Sequence, residues 1–161
     1  MDTAPIRRLP KKARFTKFIL TALVIMAPVT ALAGAKEDAN AVIDRWSAAY
    51  SSNDPEAVVK NYRPDAILLG TVSPVLSQGT EAIRTYFSGI KGSGNKNRID
   101  ERHTLVLSDN AVLVTGFYEF TRMKDGMPVP APSRFTMLLI KDGDQWLIAH
   151  HHSSPRVQPS K

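Results

Sequence analysis

A glycine-rich interruption, Gly92-Ser93-Gly94-Asn95, divides this 161-residue chain into two textures, and their order restricts the fold more than any other feature. Before it, apolar residues recur at three- and four-residue spacing: Ala39, Val42, Ile43, Trp46, Ala49 and Tyr50 form one stripe and predict an amphipathic helix from residue 38 to about 53. Asp54-Pro55-Glu56 supplies a capping acid and a proline at the first helical position, so a short second helix is expected to about residue 61, closed by Pro64. Residues 66–69 read as a strand, 71–78 as a loop, and 80–90 as a third helix carrying Ala82, Ile83, Tyr86, Phe87 and Ile90. After the break the pattern becomes alternating and β-branched, predicting strands over 99–107, 111–122, 133–141 and 145–153. Ser108-Asp109-Asn110 and Asp142-Gly143-Asp144 make short turns, while 124–132 reads as a longer loop stiffened by three prolines. Helices first and an antiparallel meander afterwards predict an α+β fold, with three N-terminal helices packed on one face of a curved antiparallel sheet.

The first 33 residues do not belong to that pattern. Basic residues from Arg7 to Lys17 precede an apolar run, Phe18 to Ala27, broken by Pro28 and followed by the small-residue patterns Ala31-Leu32-Ala33 and Ala33-Gly34-Ala35. This is the layout of a cleaved secretion signal, with cleavage after Ala33 or Ala35. About ten apolar residues fall short of the roughly 20 that span a bilayer, so no membrane association is expected after cleavage. The expected organisation is therefore a signal over 1–33, a single domain over 34–154 and a loose tail over 155–161, in a periplasmic or secreted protein.

The leader also explains the charge. It carries five of the six net positive charges, and residues 34–161 mix acids and bases without a basic stripe, which argues against a nucleic-acid partner. The absence of cysteine excludes disulfides, a thiol nucleophile and zinc-thiolate sites. In residues 134–140 both alternate sets are largely apolar: Phe135, Met137 and Leu139 against Thr136, Leu138 and Ile140. A sheet wet on one face should alternate with polar residues, so a second copy of the chain is expected over the other face, in a homodimer or larger ring.

Three stretches carry a resemblance: Val42-Ile43-Asp44-Arg45-Trp46-Ser47-Ala48-Ala49-Tyr50 running on to Val58, Ile99-Asp100-Glu101-Arg102, and Ser133-Arg134-Phe135-Thr136 followed by Gly143-Asp144-Gln145-Trp146 and His150-His151-His152-Ser153-Ser154. Over about residues 38–155 the chain resembles the nuclear transport factor 2-like superfamily. Within it, the likeness is to bacterial proteins similar to the association (hub) domain of calcium/calmodulin-dependent protein kinase II, including the SgcJ/EcaC group, and to SnoaL-like relatives. The resemblance implies a cone: helices against the concave side of a bent sheet, a pocket inside, and the convex side free for assembly. It also implies a pocket arginine that holds carboxylates, matched here by Arg134. Phe117 and Ser153 stand where two further arginines would be, and Ile83 where a helix histidine would be. Nothing resembles a kinase catalytic domain, so no kinase activity is implied.

The candidate ligand-binding residues are Arg134, His151, Ser153, Tyr118, Tyr86, Tyr62, Trp46 and Tyr50. In an extended strand His150 and His152 share one side, roughly 6.5–7 Å apart, and His151 the other, so only a pair could meet one metal ion. No metal and no cofactor is expected. By parity His151 goes with Ser153 and is expected inward, although one bulge in the last strand would exchange the histidines. Arg134 is expected on the concave side if it serves an anion, the aromatic set suits a small aromatic ligand or a plain core, and Glu119, opposite in phase to Tyr118 and Phe120, is expected outside. Three functions follow: an exported oligomer that binds a small, anionic molecule; a SnoaL-like or SgcJ/EcaC-like isomerase, cyclase or hydrolase of a polycyclic substrate using His151, His103 or Tyr118; or an oligomerisation module alone.

Overall fold

The computed structural model describes residues 29–157, with side chains from Gly34 onward. The leader as far as Pro28 lies outside the described residues, and the two expected cleavage positions, Ala33 and Ala35, fall in the first turns of α1 (Val29–Ser51). Helix α1 begins nine residues before its expected start at residue 38, and Ala35 already belongs to the core. A five-residue helix α2 (Pro55–Val59) follows, its first N–H groups capped by Asp54 Oδ1, which accepts from Glu56 and Ala57 at 3.0 and 3.1 Å. Asn61 closes it early, donating from Nδ2 to the carbonyls of Ala57 and Val58. Pro64 therefore sits inside strand β1 (Tyr62–Leu69), at an exposed position where pairing is irregular. Strand β2 (Leu76–Gln78) lies in the segment expected to be loop, too short for its alternation to register. Helix α3 (Gly79–Phe87) ends in a 3₁₀ turn (Ser88–Ile90).

Strands β3 (Lys96–Ser108), β4 (Ala111–Lys124), β5 (Met127–Asp142) and β6 (Gln145–Pro155) complete one open, curved sheet in the order β2-β1-β6-β5-β4-β3. The helices pack on its concave face, as expected, but the sheet is mixed: β1 runs parallel to β6. A parallel neighbour far away in sequence leaves no turn signal, which is why patterning alone suggests a purely antiparallel sheet.

The stiff loop expected over 124–132 is also different. Asp125-Gly126, both at positive φ, makes a two-residue turn, and β5 starts at once, pairing Met127 to Lys124 and Pro130 to Thr121. Pro128, Pro130 and Pro132 sit on alternate positions, so their missing N–H groups share one edge of the strand. That edge faces away from β4, beyond the point where β6 ends opposite Ser133. The result is a stretch of β5 with no β6 neighbour; β3 still flanks β4 as far as Thr121, and beyond it β4 and β5 project as a two-stranded tip.

The curvature comes from irregularities. Register shifts at Asp100 in β3, between Leu138 and Leu139 opposite Ala149 in β6, and between Tyr62 and Ile67 in β1 each bend a strand. The shift at Ala149 switches the inward set from Trp146 and Ile148 to His151 and Ser153. At Asp100 the β3 backbone is drawn so close to β4 that a Cβ on Gly116 would lie 2.0 Å from the Glu101 carbonyl oxygen.

Candidate functional site

Residue parity assembles the interior. Helix α1 presents Trp46 and Tyr50, β4 presents Tyr118, Phe120 and Arg122, β6 presents His151 and Ser153, and β1 begins with Tyr62. Trp46 Nε1 donates to the Tyr62 hydroxyl at 2.9 Å, and that hydroxyl lies 2.7 Å from His151 Nδ1. On the other side of the ring, His151 Nε2 is 3.4 Å from the Tyr118 hydroxyl, which donates to Ser153 Oγ. Ser153 Oγ in turn bonds to Thr71 Oγ1, just beyond β1. Six side chains from five segments thus form one continuous polar chain through an apolar interior.

Their burial sets their protonation. His151 is 2 % exposed, and burial, helped by His150 and His152, pulls its pKa down to about 3, so the ring is neutral at ordinary pH. Burial pushes the Tyr62 and Tyr118 phenols up, and both stay protonated. The chain contains no charge, so it avoids the cost of a buried ion while satisfying each ring nitrogen and hydroxyl.

At its Thr71 end the chain meets a cavity of about 240 Å³ walled by Tyr50, Tyr86, Phe87, Ile90 and Phe120. The phenol end of Tyr86 packs against Gly70, where a Cβ would fall 2.2 Å from its ring. Arg122 is the only charged residue among those lining the cavity, and among the described residues it has no acidic partner. Burial raises the phenol pKa values of Tyr50 and Tyr86, and the charge of Arg122, which lines the same cavity, draws both back down. Two other hollows lack this construction. A larger cleft of about 590 Å³ at the outside of α1 and α2 is walled by a balanced mix of Asp38, Asp144, Arg45 and Lys60, and a groove of about 290 Å³ lies on the convex face.

Seven of the eight expected ligand residues converge on this interior. Trp46, Tyr62, Tyr118, His151 and Ser153 form the buried chain, and Tyr50 and Tyr86 line the cavity. Arg134 does not: Ser133 and Phe135 on either side of it are buried, so Arg134 projects from the convex face, donating to the Pro155 carbonyl at 3.4 Å. Strand parity forces this, because the inward set of β5 is Phe135, Met137 and Leu139. Phe117 is likewise outward, beneath Arg156 at 4.0 Å, as is Glu119, 3.7 Å from Arg98. His103 and His152 face solvent on the convex side. Among the described residues no three metal-ligating side chains come together. Sequence reasoning missed Arg122 and Thr71. Arg122 was within reach, since it has the parity of Tyr118 and Phe120; Thr71 was not, because its place depends on the turn after β1.

The architecture is that of a cone-fold domain with a small internal cavity. A family profile for the SnoaL-like domain matches residues 39–158, and the chain belongs to that family, within the nuclear transport factor 2-like superfamily. A protein from Xanthomonas campestris, provisionally named as a calcium/calmodulin-dependent protein kinase II association domain, is 32 % identical over 74 % of this chain and 86 % of its own, with a TM-score of 0.70. A ketosteroid isomerase-like protein from Erwinia carotovora is 20 % identical over 76 % of this chain and 97 % of its own (TM-score 0.64). A nuclear transport factor 2-like protein with a cystatin-like fold from Novosphingobium aromaticivorans is 15 % identical over 81 % and 91 % (TM-score 0.66). These last two show a shared fold only. No curated protein matches the chain significantly.

Proposed function

We propose that this is an exported, self-associating protein that holds a small aromatic anion in the cavity of its cone without transforming it. One observation carries the ligand class: Arg122, with no acidic partner among the described residues, stands in a cavity otherwise built of aromatic and uncharged groups. A guanidinium so placed is best satisfied by a carboxylate or similar oxyanion, and the Tyr50, Tyr86 and Phe120 rings supply surface for an aromatic body. Export rests on the leader, and cleavage after Ala33 would leave the buried Ala35 in place. Self-association rests on the convex face, considered below.

A second reading, an acid–base enzyme, draws support from the polar chain, which links an imidazole to the cavity. Among the described residues, however, no carboxylate is buried on the inner face, and an imidazole with a pKa of about 3 is a weak base at neutral pH. Binding is the better-supported function.

Native mass spectrometry of the protein purified from its export compartment should show a chain beginning at Gly34 and a small mass lost on denaturation. Calorimetry with 2-naphthoate should then show Arg122→Gln weakening binding about tenfold or more, as expected for loss of a charge-assisted hydrogen bond, with 2-naphthamide bound equally by both proteins. Equal naphthoate affinity in wild type and variant would dismiss Arg122 as the anion site.

A further inference from the structure

The hydrogen-bond chain has a direction, and the direction can be read from its two ends. Trp46 Nε1 can only donate, so the Tyr62 oxygen accepts. Tyr62 then has one proton to place. The acceptor within reach is His151 Nδ1, at 2.7 Å. Were Nδ1 protonated instead, the Tyr62 oxygen would face two donors while its own buried proton had no partner. From the other end, Tyr118 donates to Ser153, so it has no proton for His151 Nε2, and that nitrogen must be the donor. Both ends require the same tautomer. The Ser153–Thr71 contact fits either direction; with Ser153 accepting from Tyr118, its own proton is assigned to Thr71 Oγ1, and the Thr71 proton then meets the Tyr86 hydroxyl at the cavity wall, an acceptor that a ligand oxygen would share or replace.

We infer that Trp46 polarises this chain, holds His151 as the Nε2–H tautomer, and makes Thr71 a hydrogen-bond donor at the cavity, so that the pocket selects ligands by an acceptor oxygen. This rests on the binding reading above and adds to it: Arg122 supplies charge, and Thr71 supplies a directed proton that a carboxylate or carbonyl can take and an ammonium group cannot. Trp46 is a positioning residue, acting on Thr71 through His151 and the rest of the chain. Because the chain carries no net charge, its polarity is a choice between two proton arrangements of otherwise equal connectivity. A donor fixed at one end settles that choice along its whole length.

The test uses the full mature protein labelled with ¹⁵N-histidine. Wild-type His151 should show a pyridine-type Nδ1 and a pyrrole-type Nε2, and Trp46→Phe should populate the opposite tautomer. With 2-naphthoate as probe, Thr71→Ser should bind within about twofold of wild type and Thr71→Val about tenfold more weakly, the worth of one hydrogen bond to a charged acceptor. An Nδ1–H tautomer in the wild type, or a tautomer unmoved in folded Trp46→Phe, would overturn the inference whatever the cavity binds. Equal naphthoate affinity in wild type and Thr71→Val would overturn the donor role of Thr71. If wild type binds no naphthoate while the Nε2–H tautomer is found, the binding reading fails and the direction of the chain stands.

Discussion

At the scale of single residues, His151 is a titratable ring held almost entirely out of water, and this has a measurable consequence. Its pKa is about 3 in the folded protein against about 6.5 in an unfolded chain, so between those values the unfolded state binds the extra proton. Stability is therefore intact above about pH 6.5 and falls as the pH drops toward 3. The slope from this one group is about 1.4 kcal/mol per pH unit, or about 2 kcal/mol between pH 6.5 and 5. Urea midpoints for wild type and His151→Gln at both pH values should differ in slope by that amount, and parallel slopes would show that His151 titrates normally. The inward direction of His151 was legible from its parity with Ser153, but what makes it possible was not. Counting by twos from the start of β6, through the buried Trp146 and Ile148, puts His150 and His152 inside, and only the bulge at Ala149 corrects this. Arg134 shows the opposite failure. Its place in a family pattern pointed inward, while the alternation of its own neighbours, Phe135, Met137 and Leu139, pointed outward, and the neighbours decide.

At the scale of elements, helices and strands were read from periodicity, but α1 starts nine residues and β5 six residues before the expected ends, because periodicity marks the buried stripe and not the cap. Asn61 ends α2 with its side chain, a contact no spacing rule predicts. The irregular points in the strands escaped for the same reason, yet they shape the cone. The bulge at Asp100 interrupts the alternation of β3, where Asn97 and Ile99 are half-buried before it and Arg102, Thr104 and Val106 after it. A polar run, Asp100-Glu101-Arg102, is its only trace in the sequence. Gly116 is the necessary partner of that bulge, since any Cβ there meets the Glu101 carbonyl and Arg102 Cα. Gly116→Ala should cost about 1–3 kcal/mol and speed hydrogen exchange in β3 on both sides of Asp100. A variant of wild-type stability with unchanged exchange would mean that the two strands are less tightly held than this geometry implies.

At the scale of the whole molecule, the convex face is what the chain leaves unfinished. Register brings Leu105, Leu113, Leu138 and His150 into one row across four strands, with His103, Thr115, Thr136 and His152 in the next. Leu105 and Leu107 are exposed, at 58 % and 54 %. Such a row on a sheet favours a second copy of the same face. Light scattering on the mature chain should give a multiple of the monomer mass and Leu105→Asp a monomer; a monomeric wild type would remove assembly from the proposed function. The two-sided apolar pattern of β5 was plain in the sequence, whereas the parallel β1–β6 pairing that sets the sheet order was not, because it joins segments some 80 residues apart. The uncovered stretch of β5 bears on how a chain of this kind avoids aggregation. A bare strand edge invites neighbouring chains to stitch on and grow into fibres, but with prolines at 128, 130 and 132 this one offers few protons for the seam. A convex face that invites a second copy can therefore sit beside a stretch of uncovered strand edge that stays inert to open-ended polymerisation.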